Sequence, residues 1–300
     1  LGGVMEKDYL FEMLKNQYNL QDVENIIQGL EKKKKVTFRI NALKTNSFEV
    51  ERNLKENSIE FEKVPWYDHA YIIKNVDENF IRKMEIYKNG EIYLQSLSSM
   101  IPAIILDPKE NENILDMTAA PGGKTTQIAA LSCNKALITA CEKNKIRYDR
   151  LKYNIEKQSA RVNVLCEDAR VLDDFFSFDK ILLDTPCSGS GTLDLNTDIS
   201  RKFSKELVDR SIKTQEILFK KAVKILKKGH EMVFSTCSIL KNENETNLKK
   251  AIDKKIVEVV PINLDMFSNI PTLQNGIQGT ITICPNENYE GFFVARLRKI

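Results

Sequence analysis

"NILDMTAAPGGKTTQIAAL", residues 113–131, passes from an apolar run through a turn of small residues into a stretch with helical spacing. Its opening "NILDM" (113–117) reads as a core strand and "KTTQIAAL" as the helix that follows. The glycines between them let a ligand approach bare backbone, and the helix start offers N–H groups with no partner inside the helix. Strand, glycine turn and helix in that order open a doubly wound α/β sheet.

Downstream the alternation continues. "ALITACE" (136–142) is the second strand, and "KIRYDRLKYNIEKQ" is its helix, with Ile146, Leu151 and Ile155 among the apolar positions. "VNVLCED" (162–168) is the third strand and "KILLD" (180–184) the fourth. A helix over about 205–228 turns Ile212, Leu218, Ala222 and Ile225 inward, with Gly229 as its C-cap. "EMVFST" (231–236) is the fifth strand, and "IVEVV" and "GFFVARL" supply two more. Continuous apolar strands between amphipathic helices predict a mostly parallel sheet, with ligands beyond the carboxyl ends of its strands.

Upstream the pattern differs. Residues 5–30 look helical, and "VTFRINAL" (36–43) alternates as a half-buried strand. A polar helical piece with Phe48 and Leu54 follows, then "HAYIIKN" (69–75) as another short strand. Residues 1–92 therefore read as a small α+β domain, and "GEIYLQSLSSMIPAIIL" carries the chain into a second domain, 93–300. An RNA-recognition sheet wants several aromatics on its stacking strand, and "VTFRINAL" has one, so base stacking is not inferred.

The 300 residues carry 45 basic and 42 acidic side chains, a net charge of +3 that does not by itself announce a nucleic-acid binder. Basic character is local, in Lys32–Lys35 and in Lys213, Lys220, Lys221, Lys224, Lys227 and Lys228. A lysine run is ordinarily a solvated face, so phosphate contact is a hypothesis for both. No apolar stretch is long enough to span a membrane, and the first twenty residues lack a targeting pattern, which predicts a cytoplasmic chain. The Leu-Gly-Gly-Val lead before Met5 reads as an appended scar or an alternative start. Six cysteines without a C-x-x-C pair, and two histidines, argue against both a disulfide scaffold and a metal site.

The glycine turn has two readings. "GGKT" matches the end of a phosphate-binding loop, with "KILLD" as the aspartate strand that would organise magnesium. The first glycine of that motif should fall at Thr118, and Pro121 removes an amide that phosphate would need. The other reading is an adenosine-containing cofactor. Glu142, twenty residues after Gly122, can take two ribose hydroxyls, and Asp168 closes the third strand at the height of the adenine. With Asp184, acids close three neighbouring strands. The full dinucleotide pattern is absent, and S-adenosylmethionine, which needs no pyrophosphate grip, suits a Thr-Ala-Ala-Pro-Gly-Gly turn better.

Two further stretches carry cysteines: "LLDTPCSGSG" (182–191) and "VFSTCSILKNENE" (233–245). A cysteine is ordinarily a small buried hydrophobe. Cys187 and Cys237, however, both lie just past apolar strands, and neighbouring fourth and fifth strands would bring them to one opening.

At these motifs the chain resembles the Nol1/Nop2/Sun (RsmB/NSUN-type) family of RNA 5-methylcytosine methyltransferases. The matching pieces are "RINALK", "YLQSLSSMIP", "ILDMTAAPGGKT", "LLDTPCSGSGT", "QEILFKKAVKILKKG", "FSTCSILKNENE" and "GFFVARL", spanning residues 39–297. The resemblance implies a Rossmann-like class I S-adenosylmethionine-dependent methyltransferase sheet beside the smaller N-terminal α+β domain. It implies S-adenosylmethionine as donor, S-adenosylhomocysteine as product and cytidine in structured RNA, tRNA or rRNA, as acceptor, with the N-terminal domain helping to hold RNA. No membrane or obligatory protein partner and no metal are expected.

The resemblance also assigns residues. Cys237 is the nucleophile, Cys187 assists elimination, Asp184 hydrogen-bonds the ring edge while staying near the cofactor, and Lys124 bonds the base or holds Asp184. The backbone at Pro186 receives the exocyclic amine. Glu243 and Glu245 support the nucleophile loop, and Thr236 and Ser238 shape it. The donor is held by the backbone of Ala119, Ala120, Pro121, Gly122 and Gly123, by Lys124, by Glu142 on the ribose and by Asp168 near the adenine, with Arg147 orienting it or its acidic neighbours. One departure concerns substrate choice: "DLNTDISRK" follows "CSGSGTL" where the family commonly has a basic pair and an Asn-Pro-Asp-like segment. Asp194 replaces positive charge there, with Arg201 and Lys202 as compensation. The other readings are a phosphate-loop ATPase and a non-catalytic RNA-binding or ribosome-assembly protein.

Overall fold

A computed structural model describes residues 2–300, with side chains from Met5 onward; Leu1 of the four-residue lead lies outside the described residues. Along the chain the elements are α1 (Gly2–Gln17), α2 (Leu20–Glu31), β1 (Val36–Ile40), α3 (Ser47–Glu56), β2 (Phe61–Val64), β3 (Tyr67–Ile73), α4 (Glu78–Lys83), α5 (Glu85–Lys88) and β4 (Ile92–Leu94). Then come α6 (Leu97–Leu106), β5 (Asn113–Asp116), α7 (Gly123–Leu131), β6 (Leu137–Cys141), α8 (Lys145–Lys157), β7 (Val162–Leu165) and β8 (Phe178–Asp184). The last third holds α9 (Lys205–Ile225), β9 (Leu226–Thr236), α10 (Glu245–Asp253), β10 (Val257–Val259), β11 (Thr272–Leu273), β12 (Ile281–Ile283) and β13 (Phe292–Lys299).

Residues 35–182 form one compact unit. It contains the antiparallel four-stranded sheet β2-β3-β1-β4, whose core is Phe38, Ile40, Val50, Leu54, Tyr71 and Ile73. Phe38 is fully buried against Tyr71, ring centroids 5.6 Å apart, so the one aromatic of "VTFRINAL" is packing. The same unit carries the parallel strands: β5 pairs with β6 on one side and with β8 on the other, and β6 pairs with β7.

The other unit comprises residues up to Lys34 together with 183–300. Here β13 runs antiparallel to β9, with β12 and β10 also on β13 and β11 on β12. Helices α1 and α2, read from sequence with the small sheet, bury Leu10, Leu14, Ile26 and Leu30 in a cluster with Leu193, Ile199, Phe203, Ile239 and Leu240. The segment after the first cysteine is anchored there: Leu195 N donates to Leu30 O at 3.2 Å and Lys7 Nζ to Leu195 O at 2.7 Å. The boundary between the units falls inside β8, whose last two residues belong to the second; the strand order is β8-β5-β6-β7 in the first unit and β11-β12-β13-β9 in the second.

Several expectations are corrected. The helix over 5–30 is two helices, because Asn19 takes extended backbone and its side chain caps α2 by accepting from Asp22 N at 2.8 Å. Gly229 is no C-cap: α9 ends at Ile225, Leu226 leaves in extended conformation, and Gly229 lies inside β9. Ile146 faces solvent at the start of α8, while Leu151 and Ile155 are buried. Ile212 is only partly buried. Asp168 lies three residues beyond the end of β7, where it caps a 3-10 turn over Ala169–Val171. Among the described residues no helix is long and apolar enough to cross a membrane.

Candidate active site

The glycine turn is held from below and from the side. Asp116, ending β5, is buried and accepts from Thr125 Oγ1 at 2.7 Å. Thr125, the threonine of "GGKT", is thus buried and committed to the strand before it, which removes the hydroxyl that a phosphate loop would turn toward a metal. Ala119 N donates to Cys141 O at 2.9 Å. The carbonyls of Ala120 and Pro121 accept from Arg147 (3.0 Å) and Asn154 (2.7 Å) of α8. Gly122 has φ +110°, which side chains rarely adopt, and a Cβ there would sit 3.0 Å from Leu151.

Arg39 of β1, passed over in the sequence, is almost wholly buried beneath this turn. Its Nε donates to Gln95 Oε1 at 2.8 Å and its Nη2 to Gly123 O (2.9 Å) and Thr126 Oγ1 (2.7 Å), with the guanidinium 5.1 Å from the Tyr93 ring centroid. Burial pushes its pKa down to about 10, so it remains a cation at neutral pH. Only the fold shows that the arginine of "RINALK" grips the first turn of α7. Lys124, next on that turn, is half-buried, and its charge opposes the burial-driven rise of the Tyr93 phenol.

The acids follow along the same strand ends. Glu142 is buried just past β6; its Oε1 accepts from Asn144 N at 2.9 Å and its Oε2 lies 3.7 Å from Arg147. Arg147 therefore links the loop carbonyl to the acid. Asp168 is gripped by Arg170 through both carboxylate oxygens, at 2.6–3.0 Å, which holds its carboxyl below the usual range. At the end of β8, Asp184 Oδ1 accepts from Ser235 Oγ of β9 at 2.7 Å, fixing the carboxylate's orientation.

The two cysteine loops meet. Cys187 Sγ and Cys237 Sγ are 3.2 Å apart, both half-buried and both free thiols. The hydrogen bond to Cys237, then burial, then neighbouring negative charge raise the Cys187 pKa well above the ordinary thiol value. Gly191 N donates to Cys237 O at 2.9 Å, and Gly291 N to Gly191 O at 2.8 Å. The backbones run so close here that a Cβ on Gly191 would fall 2.1 Å from Gly291 O. Pro186 O accepts from Gln215 of α9 at 2.9 Å, so this carbonyl already has a partner.

Beneath the thiols lies a buried polar network. Glu243 accepts from Ser188 N (2.6 Å), Ser188 Oγ (2.7 Å) and Ser238 Oγ. Burial nevertheless raises its pKa against those bonds. Asn244 Oδ1 accepts from Thr236 Oγ1 at 2.6 Å, and its Nδ2 donates to Ser238 O at 2.9 Å. Ser188, Ser235 and Asn244 were not singled out in the sequence. The available signal was the Cys-Ser pair that follows both strands. The departing segment is a turn of its own, with Asp194 Oδ1 accepting from Asn196 N at 3.0 Å.

This arrangement can hold an adenosine-type ligand against a glycine turn and acids at parallel strand ends, and it can present two thiols over a rigid polar base. A family model described as 16S rRNA methyltransferase RsmB/F matches residues 103–298, and one described as the ferredoxin-like domain of RsmF/B-like methyltransferases matches residues 7–77. A tRNA (cytosine(49)-C(5))-methyltransferase of Pyrococcus abyssi is 33% identical over 303 residues, 96% of each chain. A ribosomal RNA small subunit methyltransferase F of Shewanella piezotolerans is 32% identical over 292 residues, which is 93% of this chain but 60% of the relative's length. The crystal structure of a methyltransferase homolog from Pyrococcus horikoshii superposes with a TM-score of 0.80 at 28% identity, over 97% of this chain and 99% of that one.

Proposed function

Since the chain belongs to the RsmB/NSUN family of S-adenosylmethionine-dependent RNA cytosine-C5 methyltransferases, we propose that it methylates C5 of a cytidine in tRNA or rRNA through a covalent adduct between Cys237 and C6. We place this activity in the cytoplasm, with transfer in residues 93–300 and RNA held in part by residues 1–92. The observation that carries the reading is the pair of thiols 3.2 Å apart, one just past each of two sheet strands.

Cytosine C5 is too weak a nucleophile to take a methyl group unaided. A thiolate on Cys237 adds to C6, and the C5=C6 electron pair becomes available at C5. Bound S-adenosylmethionine supplies an electrophilic methyl group and leaves as S-adenosylhomocysteine. A base then removes the C5 proton, the C–H pair re-forms C5=C6, and the Cys237 thiolate departs. Cys187 assists this last step. Asp184, oriented by Ser235, hydrogen-bonds the ring edge at N3, and Lys124 bonds the base or steadies Asp184.

The residues fit the donor. In the Ala119–Gly123 turn the Ala120 and Pro121 carbonyls are tied away to α8 and the glycines stand at the start of α7, Glu142 offers carboxylate oxygens for a ribose diol, and Asp168 stands past β7 for the adenine. Arg147 orients Glu142 and the turn. The target base must leave any stack, at a cost of a few kcal/mol that is least in a single-stranded loop.

The test is methyl transfer from labelled S-adenosylmethionine to unmodified tRNA and 16S rRNA transcripts, with bisulfite mapping of the product. The coextensive match to an enzyme named for tRNA supports trying tRNA first. Label in cytosine C5 is expected. Label on adenine or protein with no C5 product refutes the reading, and tight Mg-ATP binding without S-adenosylmethionine binding restores the phosphate loop. RNA binding without methylation of native RNAs points to a non-catalytic protein.

A further inference from the structure

Cys187 and Cys237 are each followed by a serine, and both serines bond one carboxylate. Glu243, with no exposed surface, accepts from Ser188 N at 2.6 Å, from Ser188 Oγ at 2.7 Å and from Ser238 Oγ. The serines bond onward: Ser190 Oγ and Ser238 Oγ are 2.9 Å apart, Ile239 N donates to Ser190 Oγ at 3.0 Å, and Leu240 N to Ser238 Oγ at 3.1 Å. Resting on the covalent mechanism above, we infer that Glu243 is a positioning residue that sets the register of one thiol against the other, and that it governs adduct resolution more than adduct formation.

The asymmetry comes from counting what each loop keeps when Glu243 is removed. Both loops keep other ties, the Cys187 loop Gln215 on Pro186 O and Ile239 N on Ser190 Oγ, and Gly191 N on Cys237 O joins the two. The difference lies at the serine beside each thiol: Ser238 loses only the acceptor of its hydroxyl, since its N–H stays on Thr236 Oγ1 at 3.2 Å and its carbonyl on Asn244 Nδ2, whereas Ser188, in the Cys187 loop, loses the acceptor of both its N–H and its hydroxyl. An amide N–H left buried without an acceptor forces that loop to move toward water or another partner. Cys237 thus stays in place to attack while Cys187 is displaced from the adduct it must resolve.

The carboxylate acts through the serines and touches no reacting atom. Glutamine at 243 can still accept from Ser188 N, but its amide replaces an acceptor with a donor. At least one hydroxyl must then turn, although Ser238 Oγ already accepts from Leu240 N. The conservative variant should therefore rescue in part, because backbone capture survives and hydroxyl capture does not.

The experiment compares the wild type, Glu243→Gln, Glu243→Ala and Cys187→Ala with labelled tRNA and 16S rRNA transcripts and S-adenosylmethionine. It measures turnover, its pH profile and the RNA-protein band that survives denaturing electrophoresis. Glu243→Ala is expected to lose turnover by about tenfold or more while its covalent band rises toward that of Cys187→Ala. Glu243→Gln should fall between it and the wild type with the wild-type pH profile. Since the glutamine variant keeps the shape of the site, it carries the test if the alanine variant does not fold. Band and turnover falling together in Glu243→Gln, or a lost limb of its pH profile, would overturn the positioning role. A wild type without C5 product would instead overturn the mechanism on which the role rests, and with it the role.

Discussion

The sulfurs of Cys187 and Cys237 lie 3.2 Å apart although fifty residues separate them. Two thiols this close do not ionise independently, and the hydrogen bond to Cys237, then burial, raises the Cys187 pKa. Cys237→Ala should lower methyl transfer by at least about 1000-fold, the scale for losing a covalent nucleophile. Cys187→Ala should instead retain RNA covalently through Cys237. Labelled RNA on a denaturing gel separates the two, and a fully active Cys237→Ala protein would reject the assignment.

Glu142 gives the donor side its own test. A buried carboxylate that takes ribose hydroxyls contributes charge-assisted hydrogen bonds worth about 1.5–3 kcal/mol. Glu142→Ala should therefore weaken S-adenosylhomocysteine binding by roughly tenfold or more in isothermal titration. Asp168→Ala should weaken it less, because Arg170 already occupies both oxygens of that carboxylate. Unchanged affinity in Glu142→Ala would remove the ribose role.

Arg39 joins the small sheet to the glycine turn within residues 35–182. Replacing it by methionine deprives Gln95 Oε1, Gly123 O and Thr126 Oγ1 of one buried donor group. The expected loss is about 1.5–3 kcal/mol, the scale for hydrogen bonds to a charged group. Urea unfolding reads this directly. Because the Gly123 carbonyl belongs to the first turn of α7, S-adenosylhomocysteine affinity should fall with it. A variant with wild-type midpoint and wild-type affinity would show that the contact supports neither the fold nor the turn.

What could be read in advance followed from periodicity. The parallel strands and their helices announced themselves through continuous or 3.6-period apolar runs, and Cys187 and Cys237 because each lies just past such a strand. Strands β2, β4, β11 and β12 escaped, since two to four residues are too few to display a period. The break at Asn19 was hidden because both flanking helices present apolar faces, and only the cap geometry separates them. Arg39, Ser188 and Ser235 were invisible for a different cause: their partners lie 84, 55 and 51 residues away. No local spacing encodes such pairs.

Glu245 supplies a pH test of stability. It is buried at the start of α10, and neither carboxylate oxygen makes a hydrogen bond among the described residues. Burial raises its pKa, outweighing the favourable influence of nearby amides and of the Lys241 charge. A carboxyl with a raised folded-state pKa binds its proton more tightly when folded. Below the ordinary carboxyl value both states are protonated and the group is neutral to stability. As pH rises from that value through the raised one, the unfolded chain ionises first, so stability falls, and above it the penalty is complete. Glu245→Gln removes this ionisation. Urea midpoints should therefore differ little between variant and wild type near about pH 4.5, and the variant should gain relative to the wild type as pH approaches about 8. Glu243 leaves a residual slope of the same sign in the variant, because its carboxyl is also raised by burial. A Glu245→Gln protein whose midpoint follows the wild type across the whole range would show that Glu245 is solvated enough to ionise without cost.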